Sequence, residues 1–127
     1  MTVRSATQYG SLQKRYHDRP VNVYNATGTG AVALSTTETG RFKLVRATIK
    51  LNTIPSTSED AILTLNANDG AAYDAVIRRV NPSVGTNTGD VEFEGDDQIF
   101  EPGDQLDLSF TNTDARTYGA LIVTEPV

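Results

Sequence analysis

The stretch RFKLVRATIKLN (41–52) decides the fold class. In an extended chain Val45, Ala47, Ile49 and Leu51 point to one face, and Arg46, Thr48 and Lys50 to the other. Alternation of period two over this length reads as a half-buried strand. Phe42 and Leu44 sit in the opposite phase from the first set. A bulge near Leu44–Val45 would bring both sets to one core. Pro55 and the polar run STSED (56–60) close the strand.

The same grammar extends in both directions. Upstream, Val21, Val23 and Tyr24 begin a strand that ATGTG (26–30) ends, and AVALS (31–35) is a short strand before the turn TTETG (36–40). Downstream, AILTLNA (61–67) places Leu63 and Leu65 together, and NDG (68–70) is a turn. YDAVIRRV (73–80) is a strand and NPSVGTNTG (81–89) a loop. VEFE (91–94) and QIF (98–100) flank Gly95-Asp96-Asp97, which reads as a hairpin turn. EPGD (101–104) has the Pro and Gly positions of a type II turn. QLDLSFTN (105–112) turns Leu106, Leu108 and Phe110 inward, and DARTYG (114–119) leads to a last strand, ALIVTEPV (120–127), with Leu121 and Val123 on one face.

These eight or nine short strands, with no helix-length segment between them, exclude a parallel βαβ arrangement. The expected fold is all-β: an antiparallel, jelly-roll-like β-sandwich over residues 20–127. Residues 1–19 are expected to form an extended, basic N-terminal arm ahead of it. Their one helical candidate, residues 7–17, is interrupted by Gly10 and lacks a full apolar stripe.

At 127 residues a single domain is expected, long enough to bury a core without staples. The chain has no cysteine, so neither disulfides nor a Cys-based zinc site is expected. The N-terminus has no apolar run of the kind a secretory signal carries. No stretch approaches the ~18 apolar residues of a membrane helix, so the chain is expected to be soluble, cytoplasmically made and free of membrane partners. A net charge of −5 opposes broad nucleic-acid binding. That charge is divided: residues 1–20 hold Arg4, Lys14, Arg15 and Arg19 against Asp18, whereas residues 89–107 hold eight carboxylates and no Lys or Arg. Such asymmetry suits contacts between neighbouring subunits; a flexible basic tail beside solvated loops gives the same pattern.

Signs of catalysis are sparse. The single histidine, His17, lies in the arm, and no nucleophile elbow, Walker loop or H-E-x-x-H occurs. Glu92 and Glu94 share a strand face at roughly 7 Å, a spacing open to glycoside hydrolysis. Phe93 points the other way, however, and the chain has no Trp for a sugar platform. No enzyme activity, cofactor or metal is therefore expected. Asp90, Asp96, Asp97 and Asp104 raise a calcium reading, but EF-hand spacing is absent and turn chemistry accounts for the Gly-Asp pairs. Tyr9, Tyr16, Tyr24, Tyr73 and Tyr118 are the candidates for stacking on sugars, a common task of small β-sandwiches; packing with the hydroxyl in water explains them equally.

Two stretches carry a family resemblance: LVRATIKLNTIPSTSEDAILTLNANDGAAYDAVIRRVNPS (44–83) and FEPGDQLDLSFTNTDARTYGALIVTEP (100–126). The long strand, Pro-Thr/Ser loop, GAAYD turn and late NTD-x-R-T-Y-G strand pair resemble small β-sandwich virion proteins of tailed bacteriophages, over about residues 41–126. The resemblance implies a non-enzymatic subunit displayed in many copies: a capsid decoration (cement) protein on the capsid surface, a head-fibre base, or a collar or tail module. Its implied partners are the major capsid protein and its own copies, with a homotrimer suited to three-fold capsid positions. The arm is the expected interface, with Arg4, Lys14, Arg15 and Arg19 as charged contacts and Tyr9, Leu12 and Tyr16 as apolar anchors. The alternatives are a receptor- or carbohydrate-binding module of a fibre and a small carbohydrate-active enzyme. Asn112-Thr113-Asp114 with Arg116 is expected to fasten the loop between the last two strands, with Arg116 pairing Asp114 or Asp74.

Overall fold

In the computed structural model, residues 20–84 and 89–127 are described. Among the described residues nine strands follow one another: β1 (Asn22–Gly28), β2 (Val32–Ser35), β3 (Phe42–Leu51), β4 (Ala61–Asn66), β5 (Ala75–Val80), β6 (Asp90–Glu94), β7 (Ile99–Phe100), β8 (Gln105–Phe110) and β9 (Tyr118–Pro126). The described residues contain no α-helix; a single 3-10 turn, Ala71–Tyr73, precedes β5.

The pairing is nested. β1 pairs β9, β2 pairs β8, β3 pairs β6 and β4 pairs β5, all antiparallel. A long two-stranded ribbon with those pairs, rolled so that alternate stretches fall in opposite layers, is a jelly roll. One layer has the order β1-β9-β3-β6, with β7 also on β3, and the other has the order β2-β8-β4-β5. The expected two-sheet antiparallel sandwich is therefore the observed architecture.

Inward side chains of both layers meet in one core. Phe42, Phe93, Ile49, Leu63, Leu106, Leu108 and Ile122 are fully buried in it. Phe42 and Phe100, opposite each other in register, stack with ring centroids 5.3 Å apart. Such pairs contribute about 0.5–1.5 kcal/mol beyond their burial.

The bulge read from sequence is present. The β3–β9 register shifts between Leu44 and Arg46, so Phe42 and Leu44 join Ala47, Ile49 and Leu51 in the core. Val45 is the extra residue. It turns outward onto Val21, Val23 and Val123, not into the core with Ala47 as the alternation predicted.

Gly95-Asp96-Asp97 is not a hairpin turn. β6 and β7 both pair β3 on the same side and run in the same direction, as one strand broken opposite the bulge. Gly95 N–H donates to the Val45 carbonyl at 3.0 Å. A Cβ on Gly95 would lie 1.8 Å from the Leu44 carbonyl oxygen, so the close approach requires glycine. The pairing partner across the sheet, which local sequence does not encode, overrode the turn chemistry. The EPGD turn does form, with Gly103 at φ 86° and Asp104 N–H donating to the Glu101 carbonyl at 3.1 Å, and it carries the chain from one layer to the other.

Candidate functional site

The outer face of the β1-β9-β3-β6 sheet gathers the chain's most patterned surface. Register sets its rows. Val23, Val123, Arg46 and Glu94 form one; Asn25, Leu121, Thr48 and Glu92 the next; Thr27, Gly119, Lys50 and Asp90 the third. Read along the strands, β9 presents an apolar stripe, β3 a basic one and β6 an acidic one. Opposite charges on neighbouring strands, as at Arg46–Glu94 and Lys50–Asp90, favour this pairing modestly. At the end of the face Lys43 Nζ lies 3.4 Å from Asp97 and 3.8 Å from Glu125. Two open grooves run over it. One, of about 230 Å³, is lined by Arg46, Thr48, Lys50, Asp90 and Glu92; the other, of about 560 Å³, is lined by Asn25, Thr27, Thr48, Lys50 and Leu121.

Glu92 and Glu94 project from this face as expected, with Phe93 fully buried beneath. They stand opposite Thr48 and Arg46 beside a shallow groove, with no aromatic side chain among the described lining residues. The acidic turn residues serve the backbone. Asp104 accepts N–H bonds from Asn68 at 2.9 Å and Glu101 at 3.0 Å, and Asp96 accepts from Gln98 at 3.2 Å. Among the described residues no three acidic or histidine side chains gather closely enough to hold a metal ion. His17 and the seven arm residues Arg4, Tyr9, Leu12, Lys14, Arg15, Tyr16 and Arg19 lie outside the described residues, as do residues 85–88.

The tyrosines separate. Tyr118 is buried, and Tyr24 packs against the core with its hydroxyl on Glu38. Tyr73, at 66% exposure, is the one open tyrosine among the described residues.

The NTD-x-R loop fastens neighbouring loops, though not by the ion pair expected of it. Asp114 accepts N–H bonds from Ser56 and Thr57 at 2.8 Å each, and the Thr57 hydroxyl at 2.8 Å. These bonds, those from Thr57 first, hold its carboxyl below the usual 3.8; the charge of Arg116 adds a smaller push. Arg116 instead donates to the Ile54 carbonyl at 3.2 Å, and Asp74 accepts from Ala67 N–H. Asn112 is the hub. Its amide donates to the carbonyls of Gly30 and Arg116 at 2.9 Å each, and its Oδ1 accepts the Arg116 N–H at 3.0 Å.

One buried polar group was not legible in the sequence. Glu38, read as part of a polar turn, lies within the domain and accepts bonds from the Asn22 amide at 2.9 Å, the Thr124 hydroxyl at 2.9 Å and the Tyr24 hydroxyl. A buried carboxylate is tolerable only with such donors. Together they tie the β2–β3 connector to the β1–β9 pair. Burial, then the bond to Glu38, raises the Tyr24 phenol far above its usual 10.0. A lone Glu between threonines gives no periodic signal, and its donors come from residues 16 and 86 positions away.

No protein-family model matches the chain, and no curated protein matches it. Among solved structures it is similar to the crystal structure of the Yersinia pseudotuberculosis-derived mitogen, with 17% identity over 86% of each chain and a TM-score of 0.40. A likeness this loose carries no argument about function, and the fold rests on the strand registers above.

Proposed function

We propose that this protein is a structural subunit of a bacteriophage virion, a capsid decoration protein that binds the capsid exterior and its own neighbours and performs no catalysis. The observation that carries this reading is the division of charge between residues 1–19 and the acidic β6 margin of the jelly roll. Jelly rolls recur as building blocks of viral shells, and the sequence stretches 44–83 and 100–126 resemble tailed-phage virion subunits. Loops fastened by Asn112, Asp114 and Asp104 suit a block that keeps its shape under load. The arm residues Arg4, Lys14, Arg15 and Arg19, with Tyr9, Leu12 and Tyr16, are the assigned contacts to the major capsid protein or to adjacent copies. A trimer is the oligomer that matches three-fold capsid positions.

The test is incorporation. Full-length protein mixed with undecorated phage capsids is expected to co-sediment at saturable stoichiometry, and protein lacking residues 1–19 is expected to stay in the supernatant. Truncated protein that binds at full occupancy removes the arm from this role.

A second reading, a glycan- or receptor-binding fibre module, is favoured by Tyr73. Its exposed ring stands on the turn before β5, near the exposed Val76. Glycan-array binding that disappears in Tyr73→Ala would favour it over the first reading.

A further inference from the structure

Three buried side chains converge with complementary chemistry. Asn22 and Thr124 stand directly opposite each other in the β1–β9 register, at 1% and 0% exposure. Glu38, on the connector between β2 and β3, bridges them. Its Oε2 accepts the Thr124 hydroxyl at 2.9 Å, and its Oε1 accepts the Asn22 Nδ2 at 2.9 Å. The same Nδ2 lies 3.2 Å from Oε2, to which the Tyr24 hydroxyl also donates. A hydroxyl, a carboxylate and a carboxamide are the nucleophile, base and electrophile of an acyl transfer.

We propose that this cluster is a self-processing site, at which Thr124 Oγ1 forms an ester with the Asn22 side chain and ammonia leaves. Glu38 takes the hydroxyl proton on Oε2 as Oγ1 attacks Cγ of Asn22. The C–N bond then breaks, its electron pair going to Nδ2, and Glu38 returns the proton to that nitrogen, which departs as ammonia. One O–H and one C–N bond are exchanged for one N–H and one C–O bond. Glu38 ends as the carboxylate it began as, and the balance needs no oxidant or co-reactant.

Three observations carry the assignment. The first is the proton path: one carboxylate touches both the attacking oxygen and the leaving nitrogen, the geometry of a base that turns acid within a single step. The second is Asn22 Oδ1, a buried oxygen with no hydrogen-bond partner. A buried amide oxygen without a donor is costly. An ester carbonyl is the weaker acceptor, so the transfer relieves part of that cost.

Span is the third. The link from Cβ through Cγ and Oγ1 to Cβ has as many bonds as a disulfide, which joins Cβ atoms about 3.5–4.5 Å apart. Residues directly opposite on antiparallel strands hold theirs about 4.5–5.5 Å apart, so closure draws β1 and β9 together only locally. Burial also keeps water from the product. Lys43, beside Asp97 and Glu125, lacks that shelter, because Asp97 is 91% exposed.

The event happens once per chain and is not turnover. It goes beyond the assembly reading and does not depend on it. A bond between residues 22 and 124 closes nearly the whole domain into one loop, the kind of cross-link that most constrains the unfolded chain.

The test is the mass of the full-length chain, folded at neutral pH and then denatured. A chain lighter by one ammonia is expected, with one tryptic species joining the peptide that carries Asn22 to the peptide that carries Thr124. A chain of unprocessed mass overturns the proposal. Loss of one water, which places the bond on Glu38, also overturns it. Thr124→Val keeps the shape without the nucleophile and should retain its ammonia, whereas Thr124→Ser should lose it. Ammonia lost from Thr124→Val has another source and removes Thr124 from the role. A cross-link formed in folded Glu38→Gln contradicts the assigned base. Failure of capsid co-sedimentation with the cross-link in place rejects the assembly reading alone.

Discussion

Asn112 shows how much one side chain can hold. It sits at φ 57°, a left-handed conformation that Asn adopts more readily than other non-glycine residues. From there its amide reaches the β1–β2 loop at Gly30 and its own loop at Arg116. Asn112→Ala removes the donor from these part-buried bonds, and a loss of about 0.5–1.5 kcal/mol per bond in chemical denaturation is expected. Asn112→Gly keeps the backbone conformation and loses only the bonds, so it should be the milder of the two changes.

Asp114 carries a pH signature. Its carboxyl is held below 3.8 in the folded chain, so the unfolded chain binds the proton first. Its stabilising contribution is present above that value and is lost as pH falls through the lower, folded one. Asp114→Asn should flatten the dependence of unfolding free energy on pH below about 4; an unchanged slope would show that the Thr57 bonds do not matter to stability. Tyr24 gives the opposite sign. Its raised phenol favours folding below 10.0, and that contribution is lost as pH rises beyond it. Tyr24→Phe should therefore reduce the alkaline loss.

At the scale of the element, β3 and its neighbours behave as a matched pair of irregularities. The extra residue Val45 on β3 faces the break between β6 and β7, and Gly95 fits where a Cβ would strike the Leu44 carbonyl. Gly95→Ala must push the two strands apart, with a cost of about 1–3 kcal/mol typical of overpacking. The bulge was visible because the apolar phase of RFKLVRATIKLN changes at Leu44–Val45. The break in β6–β7 was not, because Gly-Asp-Asp is equally good chemistry for a hairpin turn. Only the presence of β3 alongside both halves distinguishes the two outcomes. β5 was legible as a strand but not as an edge: Val76 at 48% exposure and the pair Arg78-Arg79 stand at the margin of its sheet. Charges of this kind discourage unwanted strand pairing.

On the scale of the whole molecule, the nested pairing brings distant segments together, β1 with β9 above all. Folding must therefore close long loops before its contacts are rewarded, and a slow phase of milliseconds to seconds is expected in stopped-flow refolding. Phe93, wholly buried where the layers meet, reports the shared core; Phe93→Ala should cost about 3–5 kcal/mol in a single cooperative transition. The sequence by itself determined the fold class, the strand positions and the division of charge, because alternation, turn residues and composition are local properties that short segments express alone. The tertiary structure alone decided the nested order, the continuity of β6 with β7, the burial of Glu38 and the apolar patch outside the first sheet. Each of those depends on which remote strand lies alongside, and the alternation within RFKLVRATIKLN cannot specify its partner.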